Sequence, residues 1–427
     1  MPGFRDGWLD EGVKTMESHA IEVAKSVLTT FAILFAAGAL AAKVADLFEI
    51  PDVVLFLIIG IIVGPPGLNL MQVPSESALN QLMLIVGASF LLFHGGISVS
   101  LRVLKQTWLT LTLLSTVAVL IMVIIVGYTA HWILGIDLMY ALLLSAVLAS
   151  TDPATLVPIF LAIRIRAKVA ETVLSESAFN DATGAICTFT VLGMIGTGHV
   201  SVCESLMKFL VMAGGGILIG LLFSTAMAFF ISNKANHIFG QYAQILLFPL
   251  IIAAYLLSEH FGASGFMAVF IIGLVLGNLD SYGWFMDPDH HHQMHSFINH
   301  GSLLLRMIIF ILLGTHVDFA IVKQFFLPGL VIIGVFMLVA RPIAVLACTL
   351  PDRRARWEKN EILFMFWTRE TGVIPAALSG MLIGMNAPYA NVIAAVTFMA
   401  ILATLVIQAS TTKWLAAKLG LSEGSGG

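Results

Sequence analysis

Long apolar runs, separated by short polar turns, repeat along the whole chain. Taken as helices they fall near 25-46, 51-70, 79-100, 107-134, 139-163, 168-195, 204-231, 242-258, 262-279, 297-314, 326-349, 360-385 and 388-416, about thirteen in all. Runs of this length suit the crossing of a bilayer at about 1.5 Å per residue, and they lack the strict alternation of barrel strands. The pattern therefore predicts an all-α integral membrane protein.

Composition agrees with the pattern. With 59% hydrophobic and 11% charged residues over 427 positions, the chain has too few charges to cover a soluble globule. One membrane domain, residues 25-416, is expected between an N-terminal polar segment, 1-24, and a C-terminal tail, 417-427, whose Gly-Ser-rich end reads as flexible. Asp6, Asp10, Glu11, Glu17 and Glu22 precede the first run where a secretory signal would carry a basic stretch, so that run reads as a retained helix. Basic residues such as Arg102, Arg166, Lys168, Arg353, Arg354 and Lys418 follow odd-numbered runs, whereas even-numbered runs are followed by little beyond Lys208 and Lys323. By the positive-inside rule the N-terminus is outside and the C-terminus cytoplasmic. The net charge of −4, with no basic cluster interleaved with aromatics, argues against nucleic acid. Cys187, Cys203 and Cys348 show neither disulfide nor zinc spacing, and no cofactor is implied.

The sixth run carries the chemistry. Glu176, Ser177, Asn180 and Asp181 lie near its middle, Asp181 roughly 20 Å from either end, and the one-turn spacings put all four on one face. A carboxylate at bilayer depth needs water, a cation or a basic partner, which points to an ion path. A structural polar knot between helices is the competing reading.

Two other runs are interrupted. Ser150-Thr151-Asp152-Pro153 breaks the fifth, with Asp152 placed as a helix cap and Pro153 at the first position of the restarted helix. Thr368-Arg369-Glu370-Thr371-Gly372, followed by Pro375, breaks the twelfth. Irregular backbone at that depth survives where it is buried in protein or lines a cavity. Because the breaks stand seven runs apart, they cross in opposite directions. Runs one to six then match eight to thirteen as inverted repeats, and the site lies where the broken segments cross. Asp152 would offset the positive helix ends there, and a nearby Arg the exposed carbonyl ends.

Thr151-Asp152-Pro153 on one broken helix, followed by Glu176-Ser177-x-x-Asn180-Asp181 on the next, resembles the sodium/proton exchangers of the cation:proton antiporter superfamily, over nearly the whole chain. The Asn-Asp pair is similar to the electroneutral, NhaP-like branch. The resemblance implies that Asp181 holds either the monovalent cation or the proton, with Ser177 and Thr151 as further oxygen ligands. It implies that Glu176 acts through water or an ion pair, and that Asn180 and Asp152 orient the site. Arg341 and Arg369 match basic residues of the family and would pair with Glu176 or Asp152. Many relatives read Gly-Leu-Arg-Gly where this chain reads Trp367-Thr368-Arg369-Glu370-Thr371. The implied core is 107-195 with 326-416, the other helices forming scaffold and homodimer contacts.

The expected function is exchange of Na⁺ or Li⁺ for H⁺ by alternating access in the inner (plasma) membrane, with K⁺ as the alternative ion. A channel would need repeated filter carbonyls, which are not found. An enzyme using Asp152 and Asp181 as a carboxylate dyad would leave the paired breaks without a role. Four features stand apart. His290, His291, His292, His295 and His300 read as a solvated loop before the tenth run, with pH sensing or metal binding as the sharper alternative. His94 reads as a hydrogen-bonded packing residue or as one that modulates the site, Arg306 as a snorkelling one, and Gly214, Gly215, Gly216 and Gly220 as a close-packing stretch.

Overall fold

The computed structural model describes residues 6–48, 51–151, 156, 160, 163, 165–197, 202–232 and 242–422. Among these the secondary structure is helical apart from one isolated bridge, Ile165 to Ser422. The first half of the chain holds α1 (Asp6–Phe48), α2 (Asp52–Val63), α3 (Ala78–Ile97), α4 (Leu101–Leu113), α5 (Val119–Leu134), α6 (Leu138–Leu148), α7 (Ala167–Thr197) and α8 (Val202–Ile231). The second holds α9 (Ala243–His260), α10 (Gly265–Leu276), α11 (Pro288–Thr315), α12 (Phe319–Gln324), α13 (Phe326–Val335), α14 (Arg341–Thr349), α15 (Lys359–Trp367), α16 (Val373–Gly384), α17 (Ala390–Ala403) and α18 (Ser410–Lys418).

Each apolar run of the sequence holds a helix, but the expected number of crossings is not met by length alone. Among the described residues nine helices are long and apolar enough to cross a membrane, with α4–α5, α13–α14 and α17–α18 each counted as one continuous helix, and α2, α6, α10 and α16 are shorter apolar helices. Two of the short ones, α6 and α16, are halves of the interrupted runs. Two boundaries differ from expectation. No proline stands between Asp6 and Phe48, and α1 takes in most of the polar segment 1-24. The five histidines lie within α11 and not in a loop, because Asp287 caps the helix by accepting from the Asp289 N–H and Pro288 occupies its first turn.

The two halves pack as the inverted-repeat pattern requires. α2 crosses α11, and α3 crosses α10; the seven-run offset carries one pair onto the other in reverse order. Both crossings rest on reciprocal glycines. A Cβ on Gly60 would lie 2.2 Å from the Ile311 carbonyl and one on Gly314 2.5 Å from that of Leu57, while Gly96 and Gly273 stand in the same relation to Phe270 and Phe93 at 2.2 and 2.1 Å. Backbones meet there with no side chain between them. Equivalent spans also share a wide π-turn: Leu114–Ala118 joins α4 to α5, and Phe336–Ala340 joins α13 to α14. A third π-turn, Thr404–Ala409, joins α17 to α18. Gly216 and Gly220 of α8 lie against the Ser264 and Ala268 carbonyls, as a close-packing stretch should.

The last described residues are tied down. After α18, Gly420 at φ 66° reverses the chain, and buried Leu421 accepts from the Arg166 N–H at 3.1 Å beside the Ile165–Ser422 bridge. The Asn360 amide, at the start of α15, donates to the Leu419 carbonyl at 2.9 Å.

Candidate functional site

α7 runs through the middle of the protein and buries Glu176, Ser177, Asn180 and Asp181. The polar face therefore meets protein and not lipid. Opposite it the first interrupted run comes to its break: α6 ends at Leu148, Ala149 caps it, and the chain leaves helical geometry through Ser150 and Thr151. Breaking a helix frees backbone N–H groups that need acceptors. Asp181 supplies one. Its Oδ1 accepts from Ser150 Oγ at 2.5 Å and from the Thr151 N–H at 3.1 Å. This closeness depends on Gly184, one turn along α7, where a Cβ would lie 3.1 Å from Ser150 Cβ and 3.2 Å from its nitrogen.

Glu176 is neutralised from the other repeat. Both terminal nitrogens of Arg341 engage its carboxylate, Nη2 to Oε2 at 2.9 Å and Nη1 to Oε1. The remaining Nε–H donates at 3.0 Å to the Met365 carbonyl in the last turn of α15. One guanidinium thus satisfies a buried acid and an orphan helix carbonyl together. Asn180 Nδ2 donates to Glu176 Oε1 at 3.3 Å, so Asn180 orients the ion pair.

Arg369 takes the place expected of an arginine at an exposed helix end, and not that of a direct partner of Glu176. Its guanidinium donates to the Ala149 carbonyl and to Met122 Sδ, and lies 5.1 Å from the centre of the Phe336 ring. Ala149 caps the C-terminal end of α6, so the cation sits at the negative end of the half-helix dipole. Among the described residues Arg369 makes no hydrogen bond to Glu176, whose two oxygens are held by Arg341. Asp152, the other expected partner, lies with Pro153 outside the described residues. The two breaks nevertheless meet, since Arg369 of the second touches Ala149 of the first.

Oxygens with capacity to spare gather around Asp181. Thr151 Oγ1 and Asn180 Oδ1 are buried without a hydrogen-bond partner among the described residues, and Ser177 is buried one turn from Asp181. A carboxylate with neutral hydroxyl and amide oxygens is a hard donor set, suited to a small monovalent cation as cargo. Among the described residues no three His, Cys, Asp or Glu groups come together as a metal site, the α11 histidines included. His94 accepts its packing role through Asn299 at 3.2 Å. Arg306 pairs with Asp52 at 3.5 Å and so is anchored between α11 and α2, where snorkelling alone was expected.

Sequence reasoning overlooked Ser150 as an Asp181 partner, although it stands in the same tetrapeptide as Thr151. An arginine at the exposed carbonyl ends was expected; that these ends are the Ala149 and Met365 carbonyls, each with its own arginine, was not. No residue type announces a carbonyl, and a helix end inside an apolar run is the only signal that two would need donors.

Three comparisons bear on this geometry. The family described as sodium/hydrogen exchanger, transmembrane, matches residues 21–418. The chain is 32% identical over 409 residues to Na(+)/H(+) antiporter 1 of Methanocaldococcus jannaschii, covering 90% of this chain and 93% of that one. It is 27% identical to the K(+)/H(+) antiporter NhaP of Alkalimonas amylolytica, covering 95% of this chain and 69% of that one. A solved structure of the sodium proton antiporter MjNhaP1 from Methanocaldococcus jannaschii superposes with a TM-score of 0.82 at 31% identity, over 93% of this chain and 99% of that one.

Proposed function

Since the chain belongs to the sodium/hydrogen exchanger family, we propose that it is a secondary antiporter in which Asp181 carries a monovalent cation, Na⁺ or Li⁺, in one half of the cycle and a proton in the other. The observation that carries this reading is the Asp181 carboxylate set against the first helix break, held by Ser150 and the Thr151 N–H. In the cation-bound state Asp181 is joined by Thr151 Oγ1 and the Ser177 hydroxyl. In the proton-bound state the carboxyl is neutral and the hydroxyls return to protein partners. Glu176, Asn180 and Arg341 form a fixed support beside it, and Asp152 with Arg369 offsets the half-helix ends. Alternating access then carries one site between the two faces of the membrane.

The localisation that goes with this reading is the inner (plasma) membrane, multi-pass, with the N-terminus outside and the C-terminus cytoplasmic. The quaternary state is a homodimer through the first helices, where Leu28, Leu40 and Leu47 of α1 are more than 60% exposed. A K⁺/H⁺ exchanger is the second reading, favoured by the likeness to the Alkalimonas amylolytica relative. Proton flux from proteoliposomes driven by Na⁺, Li⁺ or K⁺ in turn separates the two. Asp181→Asn keeps the helix and loses the exchangeable charge, so it is expected to fold and to abolish flux for every cation. Coupled flux in that variant would remove Asp181 from the site.

A further inference from the structure

The hydrogen bond that fixes the first break has a counterpart at the second. Within the first break, the Thr151 N–H donates to Asp181 on the next apolar run, α7, at 3.1 Å. Within the second break, the Thr371 N–H donates at 3.1 Å to Thr404 Oγ1, at the C-cap of α17, again on the next apolar run. Where the first repeat places an acid, the second places a hydroxyl. Thr404 is fully buried and held in orientation: its own O–H donates to the Ala400 carbonyl at 2.9 Å, leaving its lone pairs toward Thr371.

The second break is connected to the ion site by a short path. Two residues before Thr371, Arg369 leaves the same strand of irregular backbone to donate to the Ala149 carbonyl. Ala149 precedes Ser150, whose hydroxyl holds Asp181 at 2.5 Å. We infer that Thr404 is a positioning residue for exchange: by anchoring the Thr371 N–H it fixes the backbone from which Arg369 holds the first break, and with it Ser150 and Thr151, against Asp181. The inference rests on the exchange reading above. It adds a residue that touches neither cation nor proton.

Thr404→Val keeps the volume and removes the acceptor, while Thr404→Ser keeps the acceptor. In proteoliposomes the apparent KM for the driving cation should rise about tenfold in the Val variant, with a smaller fall in kcat, because a site misplaced by a fraction of an ångström binds its ion less well. The Ser variant should restore the parent KM. A merely structural role would lower the melting temperature of the Val variant and leave its KM at the parent value, and that result overturns the inference. Should the Val variant not fold, Thr404→Cys, a weak acceptor, must fall between parent and Ser on one side and loss of binding on the other; a Cys variant with the parent KM also overturns it. Absence of cation-driven flux in the parent counts against the exchange reading itself, and is seen before any variant is compared.

Discussion

Arg341 and Arg369 are buried in adjoining elements of the second repeat, and their different partners set different consequences for losing them. Arg341 is the counter-charge of Glu176, and removing it leaves a carboxylate unpaired among apolar side chains. Arg341→Ala is therefore expected to destabilise by about 3–5 kcal/mol, and Arg341→Lys by less, since a lysine keeps the charge and loses the two-pronged geometry. Arg369→Ala removes a donor from one carbonyl, with an expected loss of about 1–3 kcal/mol. Thermal melts of the purified variants check the order; a larger loss for Arg369→Ala would make it the principal ion-pair residue. Both arginines and the α7 acids were legible in the sequence because a charge inside an apolar run is conspicuous. That an arginine would meet the exposed carbonyl ends was legible too; which arginine met which carbonyl or acid was not, since a carbonyl carries no residue signature.

At the scale of elements, the breaks were legible and the π-turns were not. Thr151-Asp152-Pro153 and the Thr368–Gly372 stretch interrupt apolar runs with residues that stop helices, whereas Leu114–Ala118 and Phe336–Ala340 contain neither Pro nor Gly. The α11 histidines were misplaced because polarity was read as a loop, although Asp287 and Pro288 form a sound helix start. Between α14 and α15 the turn is built on Asp352, which accepts from Thr110 of α4 through both its N–H and hydroxyl, and from the N–H groups of Arg354 and Ala355. Burial alone would raise the pKa of this carboxyl; the hydrogen bonds outweigh it and hold the pKa below its ordinary value. A depressed folded pKa gives stability that is present above the unfolded carboxylate pKa and lost as pH falls through the folded one. Asp352→Asn should thus melt lower than the parent at neutral pH, by about 2 kcal/mol, with the gap closing in acid. A gap that stays constant down to the acid limit would show that the charge is not what holds the turn.

For the whole molecule the decisive quantity is how many charges move per cycle. Glu176 is tied to Arg341, and Asn180 stands where a second acid would be needed for net charge movement, so the exchange reading proposed above makes Asp181 the carboxylate that changes its ion. On that reading exchange is expected to be electroneutral, with cation and proton competing for one negative site. The apparent cation affinity should weaken about tenfold per pH unit below the pKa of that carboxylate, because protonation removes the ligand. Proton flux at several clamped membrane potentials tests the count: a rate or end point that shifts with voltage would show a second charge moving. The docking of residues 419–422 has a use of its own in such work. That short segment touches Arg166, where the ion-carrying helix α7 begins, and Asn360, where the half-helix capped by Arg341 begins. If alternating access moves α7 and α15 against the other helices, a fluorescent label near Ser422 is a handle on that motion at the start of α7, away from Asp181, and its distance to a second label on α8 is expected to change as the cation is exchanged.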